Sequence, residues 1–251
     1  MDAKKHNTNI VNQFSKQASA YTSITSHSDS LDKLIAISSA SRSDKVLDIA
    51  CGSGIVACEF AKYTSHVTGI DMTQRMLEEA KKLQAKRSLT NVTWQIGDVE
   101  SLPYEDDSFS IVISRFGFHH FIDPFKVLSE MKRVCKPGGK VLVVDVSLPD
   151  SKIKNYNEME KNRDNSHVAA LSLTEFSNLF ERLGFKSLNT DFYSMQIGLK
   201  EQLKASYPND ANALESMIIA DLGVNDLGIN VTKLDDEYFL HYPIHIFSLE
   251  N

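Results

Sequence analysis

The chain has 251 residues, 42% of them hydrophobic and 24% charged, and a net charge of −6. That balance suits one large folded domain with a real core. It excludes a globally basic nucleic-acid surface, and no apolar run approaches membrane-spanning length. Three cysteines, Cys51, Cys58 and Cys135, have no CxxC spacing, which argues against a disulfide framework and a zinc site, so no metal is expected. Met1 to Asn12 is polar and lacks a signal-peptide pattern, so a soluble, cytoplasmic protein is expected.

Residues 1–43 read as mainly helical. Ile10, Phe14, Ala18 and Tyr21 form a helical stripe, and a second helix begins near Ser28 or Asp29. From Lys45, short strands and helices alternate. Val46 to Ala50 is a strand that runs into Gly52 and Gly54, and a helix follows to about Tyr63. His66 to Ile70 is a strand ending at Asp71, followed by a helix with Met76, Leu77, Ala80 and Leu83 on its apolar face. Val92 to Ile96 and Phe109 to Ser114 are strands. Pro124 to Cys135 is a helix, and Lys140 to Val146 is a fifth strand.

The tail is less regular. Ile153 to Arg163 reads as helix, and a further helix begins with Thr174 as N-cap and stops at Gly184. Phe185 to Phe192 reads as a strand, residues 195–235 as a helical insertion, and Tyr238 to Leu249 as a last strand in which Pro243 must sit at a bulge or an end.

Strand–helix alternation over residues 45–147 means a doubly wound α/β fold, a parallel sheet with helices on both faces. Ligands of such sheets bind beyond the strand C-termini, at the switch point. Asp48, Asp71 and Asp98 sit at or beside strand ends and should line one crevice.

The turn Gly52-Ser53-Gly54-Ile55-Val56-Ala57 satisfies G-x-G-x-x-A, so a nicotinamide dinucleotide is a first candidate ligand. Asp48 opposes it. A carboxylate aimed into the crevice repels a diphosphate and favours a cation. S-adenosylmethionine carries an ammonium and a sulfonium and no phosphate. Asp98 also stands where an adenine amino group needs an acceptor, and Val99 where a backbone amide meets a ring nitrogen.

"VLDIACGSG", "GIDMTQRML", "GDVESLPYEDDSFSIVISRFGFHHF" and "EMKRVCKPGGKVLVVDV" fall in order across residues 45–147. Together they resemble the class I S-adenosylmethionine-dependent methyltransferases, with greatest similarity to the ubiquinone/menaquinone-biosynthesis C-methyltransferase subgroup. "QFSKQASAY" and "RDNSHVAALSLTEF" extend the similarity to about residue 185. The resemblance implies a mostly parallel seven-stranded, Rossmann-like sheet with an antiparallel final strand. It implies an N-terminal helical lid (1–43), a cofactor core (44–147) and acceptor-side elements (148–251). It places Asp48, Ala50, Gly52 and Gly54 around the methionine part of the cofactor, and Asp71 on the ribose. Met72, Asp98 and Val99 fall on adenine, Arg115 near the methionine carboxylate or the sulfonium, and Tyr21 over the cofactor. Ala50 stands where the commonest family pattern has its first glycine, and Ile55 where another glycine is frequent.

Each residue has a plainer reading. Asp48 could cap the following helix, Asp71 and Asp98 could be turn formers, and Phe14 and Tyr21 could be core. Cys51 could be a reactive thiol or simply small enough for the turn. His119 and His120 cannot both face one site if the backbone there is extended. His120, His119 and His167 are nevertheless the candidates for touching the acceptor.

The expected activity is transfer of a methyl group from S-adenosylmethionine to a small, partly apolar acceptor, leaving S-adenosylhomocysteine. The sulfonium supplies activation, so the protein mainly aligns the reactants, and a base matters only if the acceptor holds a proton. The alternatives are a lyase, cyclase or pericyclase using the same cofactor, a nicotinamide oxidoreductase, and a non-catalytic S-adenosylmethionine-binding partner protein. The expected partner is the small-molecule acceptor, with no nucleic acid and no membrane span. A homodimer is compatible with the sequence.

Overall fold

The computed structural model describes residues 2–251. The chain opens with α1 (Ala3–Ser23), whose first amides are capped by the Asp2 carboxylate, then a 3-10 turn at Thr25–Ser28 and α2 (Leu31–Ser38). The alternating core follows: β1 (Lys45–Ile49), α3 (Ile55–Phe60), β2 (His66–Asp71), α4 (Gln74–Lys86), β3 (Val92–Ile96), β4 (Phe109–Arg115), α5 (Pro124–Val134) and β5 (Cys135–Val146). The remainder comprises α6 (Asp150–Arg163), α7 (Leu173–Leu183), β6 (Ser187–Gly198), α8 (Leu199–Ser206), α9 (Ala211–Ala220), β7 (Thr232–Leu234) and β8 (Glu237–Glu250).

The strands form one sheet in the order β3-β2-β1-β4-β5-β8-β6. β1 to β5 pair in parallel, and β8 inserts antiparallel between β5 and β6. The seven-stranded path and its reversed final strand match expectation. The short β7, paired to β8, is an addition that makes eight strands. The chain winds outward from β1 to β3, then crosses back to β4, so the switch point lies between β1 and β4.

Strand alternation builds two cores, one on each face. Val46, Ile111, Ile113, Leu142 and Val144 face the side packed by α2, α3 and α9. Leu47, Ile49, Val112, Val141 and Val143 face the side packed by α5 and α7. Burial on both faces explains why these strands read as continuous apolar runs rather than alternating ones.

Several boundaries differ from the sequence reading. Ser172, not Thr174, caps α7: its hydroxyl accepts from the Glu175 amide while the Glu175 carboxylate accepts from the Ser172 amide. This reciprocal pair satisfies two otherwise orphaned N–H groups at once. The Thr174 hydroxyl instead donates to Asp150. β6 runs on to Gly198, so the helical insertion is only α8 and α9, and residues 221–231 are irregular. β5 begins at Cys135 rather than Lys140.

Pro243 lies inside β8, opposite Ser194, and not at a bulge or an end. Its carbonyl accepts from the Ser147 amide, just past the last β5 partner. In an antiparallel ladder N–H and C=O of one residue face the same neighbour, so the missing donor falls where β5 pairing stops and β6 loses nothing.

Candidate functional site

At the C-terminal end of β1 the chain turns through Ala50, Cys51, Gly52 and Ser53 into α3. Ala50 holds a left-handed φ of 49° and Gly54 one of 74°. Gly54 has a second constraint: a β-carbon there would stand 2.4 Å from the Trp94 ring. The Trp94 indole also fills the space a side chain at Gly69 would need, so one aromatic from β3 supports the turn from below.

Asp71, at the end of β2, ties the turn to its own loop. Its carboxylate accepts from the Gly52 amide at 2.8 Å and the Thr73 amide at 2.8 Å. Burial raises its pKa, and these two amides hold it back. Asp48 behaves differently. It is 2% exposed, accepts from the Ala57 amide in the first turn of α3, and does not line the crevice. Burial pushes its pKa up to about 8 against the pull of that amide. Helix capping, the plainer reading of Asp48, is therefore present in the structure, beneath the crevice lining rather than on it. Gly54 likewise stays out of the lining. The Cys51 thiol is buried and its pKa driven well above the ordinary value, chiefly by burial, which removes the reactive-thiol reading.

The crevice beyond β1, β2 and β3 is a cavity of about 970 Å³ including its mouth. Tyr21, Ala50, Gly52, Asp71, Met72, Asp98, Val99 and Arg115, all expected there, line it. Its acidic walls are Asp71, Asp98 and Glu100, against the single guanidinium of Arg115. An adenosyl cation fits that balance, and a diphosphate does not. Two buried polar atoms on the lining have no protein partner, Ser53 Oγ and Arg115 Nε. They fit the polar amino-acid end of the expected cofactor, while the half-buried Met72 and buried Val99 fit its flat base.

The N-terminal helix closes this crevice. His6 Nε2 donates to the His120 carbonyl at 2.8 Å, and Asn7 donates to Asp98 at 3.2 Å. The sequence reading missed both residues. They lie one turn before Ile10 on its stripe, so extending the periodicity backwards finds them. Arg115 holds the next segment: it donates to the carbonyls of His27 and Asp29 and to the Tyr193 hydroxyl, with its guanidinium 4.3 Å from the Phe116 ring centre. Phe116 adopts a left-handed φ of 60°, a strained position for an aromatic.

A second cavity, about 630 Å³ including its mouth, lies beside the first. Phe14, Tyr21, His27, Phe116 and His120 line both and form the junction. The far walls come from α6, β6, α8 and β8. Burial lowers the His27 pKa to about 3, helped by the Arg115 charge, and raises the Tyr21 pKa to about 12. Both side chains are neutral at pH 7.

His119 and His120 both line the second cavity. The backbone is not extended there. It makes a 3-10 turn, Phe118–His120, that brings the two rings to 4.2 Å. His119 Nδ1 donates to Asp145 Oδ1 at 2.7 Å, which leaves Nε2 with the lone pair. Burial works against protonating His119, but the charge and hydrogen bond of Asp145 outweigh it and the pKa ends raised. His120 Nδ1 donates to the Ser166 carbonyl, and burial followed by the His119 charge lowers its pKa to about 4. His167 lines neither cavity. Its Nε2 donates to Asn157 Oδ1 at 2.7 Å, burial depresses its pKa, and its ring packs 5.5 Å from that of His119.

Asp145 was missed in the sequence. It is an acid one residue from the end of β5, the same strand-end rule that selected Asp71. Its other oxygen accepts from the Phe118 amide, which fixes the turn carrying both histidines. Among the described residues no cluster of three or more His, Cys, Asp or Glu is arranged to hold a metal ion.

A family model described as a methyltransferase domain matches residues 40–203. The chain belongs to that family. A curated relative, an uncharacterised methyltransferase YcgJ of Bacillus subtilis, is 35% identical over 171 residues, covering 66% of this chain and 68% of its own. A demethylmenaquinone methyltransferase of Lactobacillus johnsonii is 29% identical over 225 residues, covering 73% of this chain and 92% of its own. The crystal structure of YcgJ superposes with a TM-score of 0.80 at 27% identity, covering 90% of this methyltransferase and 98% of that chain. The similarity to class I S-adenosylmethionine-dependent methyltransferases read from the motifs is thereby upheld, as are the mixed sheet and the enzyme class. Among the described residues no helix of the methyltransferase is long and apolar enough to cross a membrane.

Proposed function

We propose that this methyltransferase binds S-adenosylmethionine in the first cavity and methylates a small molecule held in the second. The observation that carries the reading is the junction: two cavities, one acidic and nucleoside-sized, the other partly apolar, meet at Phe14, Tyr21, His27, Phe116 and His120. Asp71 accepts the ribose hydroxyls with the lone pairs its two backbone amides leave free. Met72, Val99 and Asp98 read the base. Ala50, Gly52, Ser53 and Arg115 surround the amino-acid end. Asp48 shapes the turn from beneath by capping α3. Residues 1–43 act as the lid, 44–147 as the cofactor core and 148–251 as the acceptor side.

S-adenosylmethionine supplies an electrophilic methyl group and its own neutral leaving group. The chain supplies orientation, which in favourable cases lowers a barrier by about 7–11 kcal/mol, and a base. His119 Nε2 takes the proton from the acceptor oxygen, nitrogen or carbon acid, and Asp145 stabilises the resulting imidazolium. His120 and Tyr21, both neutral, wall the junction against water.

Calorimetry with S-adenosylmethionine, followed by labelled-methyl uptake across phenols, quinols, amines and carboxylic acids, tests the reading. A methylated product formed in step with S-adenosylhomocysteine supports it. Turnover without S-adenosylhomocysteine identifies a lyase, cyclase or pericyclase instead, and overturns it.

A further inference from the structure

The Arg163–His167 segment, together with Glu160 before it, has no role in the reaction above, although Glu160, Arg163 and Asp164 line the second cavity. Glu160 is 1% exposed and takes the Arg163 guanidinium through both carboxylate oxygens, and Arg163 also donates to the Ser206 hydroxyl. The guanidinium is therefore occupied within the protein. Asp164 accepts from the amide and hydroxyl of Ser166, which in turn holds His120. Two carboxylates and one arginine leave this wall with no surplus positive charge, so it does not suit an anionic ligand.

Beside this cluster stand two buried polar groups with nothing to bind. Gln202 is 7% exposed and Tyr242 4%, and Gln202 Oε1 and the Tyr242 hydroxyl have no hydrogen-bond partner in the protein. Both line the second cavity and neither lines the first, so they stand away from the junction residues that the two cavities share. Apolar side chains of Ile24, Val146, Met195, Ile197 and Ala205 share the lining of that cavity with them. A buried polar group without a partner destabilises the fold, and a ligand that satisfies it recovers that loss as affinity.

Building on the proposed acceptor cavity, we propose that Gln202 and Tyr242 form a specificity subsite for a hydrogen-bond-donating group on the acceptor, away from the junction where the methyl group is transferred. The acceptor class is then a neutral molecule with an apolar middle and polar groups at two ends, a dihydroxy arene being the simplest form. A carboxylate or phosphate in place of the distal hydroxyl is rejected by Glu160 and Asp164.

The test uses the full chain as wild type, Tyr242→Phe and Gln202→Leu. Catechol, resorcinol, hydroquinone and phenol are titrated as probes, with and without S-adenosylhomocysteine. The wild type is expected to bind at least one dihydroxybenzene about tenfold more tightly than phenol. Each variant is expected to bring that ratio within about threefold of unity, with phenol affinity unchanged. Because the deleted groups have no internal partner, both variants are expected to melt within about 2 °C of the wild type or above it. Equal binding of all four probes, no binding of any, or a ratio that survives both substitutions overturns the subsite. So does a large fall in Tm on Tyr242→Phe, which would mean the hydroxyl serves the fold. S-adenosylhomocysteine that gives no heat with folded protein overturns the cofactor reading alone, since the probe ratio is read in either state.

Discussion

The imidazole of His119, which lines the second cavity, and the carboxylate of Asp145 lie 2.7 Å apart, Nδ1 to Oδ1, so that Nε2 carries the lone pair of the neutral ring. Asp145 is 1% exposed and also accepts from the Phe118 and Val146 amides, so it cannot move away from the ring. This orientation is what a proton acceptor needs: one tautomer, one direction, and a carboxylate behind it.

A pH dependence follows from the raised pKa of His119. The base works only when neutral, so kcat/KM rises with pH through the His119 value, with a midpoint above the ordinary ~6.5 of histidine. Asp145→Asn removes the charge that outweighs burial, so the midpoint moves to lower pH and the plateau falls. His119→Gln lowers the plateau by about 10²–10⁴-fold. An acid limb that stays in place in Asp145→Asn would contradict the pair. The same raised value makes the ion pair stabilising below the unfolded histidine pKa, and that contribution is lost as pH rises through the folded one.

Asp48 predicts a stability effect of opposite character. Its folded pKa is about 8 against an ordinary 3.8, so the folded chain retains a proton that the unfolded chain releases. This group therefore erodes stability as pH climbs from about 4 to about 8. Asp48→Asn keeps an oxygen for the Ala57 amide and removes the charge. Without added ligand its Tm is expected to exceed that of the wild type at pH 8 and to converge on it toward pH 4. A variant that melts lower at pH 8 would show that the carboxylate is ionised and stabilised where it sits.

The two glycines of the turn differ in what they tolerate. A β-carbon at Gly52 meets nothing within 4 Å, so Gly52→Ala suffers only the left-handed backbone, about 1–2 kcal/mol. Gly54→Ala adds a clash with the Trp94 ring and is expected to lose about 2–5 kcal/mol. Denaturant unfolding of both variants checks the order. Equal losses would mean the indole yields freely.

Much of the first cavity was legible in the sequence because strand ends are easy to find. Apolar runs that stop at Asp71 and at Gly97-Asp98 announce where parallel strands deliver their last residues. Asp48 obeyed the same pattern yet turned under the sheet end to cap α3, a choice that depends on side-chain direction rather than position. The two-sided cavity was harder to see. His119 and His120 share a wall because the turn after β4 is helical, and three residues carry no period from which to read that. Asp145, Glu160, Gln202 and Tyr242 come from β5, α6, α8 and β8, and only the tertiary fold brings them together. Pro243 misled because a break in pairing on one side of a strand is invisible without its neighbours.

Truncation of the lid tests the role of α1. Removing residues 1–9 deletes the His6 and Asn7 bonds to the His120 carbonyl and Asp98 while leaving Phe14 and Tyr21 at the junction. Cofactor dissociation is expected to quicken by about tenfold or more, since two buried or bridging hydrogen bonds are lost, with little change in Tm. Unaltered dissociation in stopped-flow measurements would mean the helix end does not gate the crevice.

On the function proposed above, the crevice beyond β1, β2 and β3, walled by Asp71, Asp98 and Glu100, holds an adenosyl cation and not a dinucleotide. Calorimetric titration of the folded chain with S-adenosylmethionine, beside NADH, tests it most directly. One-to-one binding of S-adenosylmethionine, weakened well over tenfold by Asp71→Ala, is expected, with no binding of NADH. Tight NADH binding with no heat from S-adenosylmethionine or S-adenosylhomocysteine would contradict it.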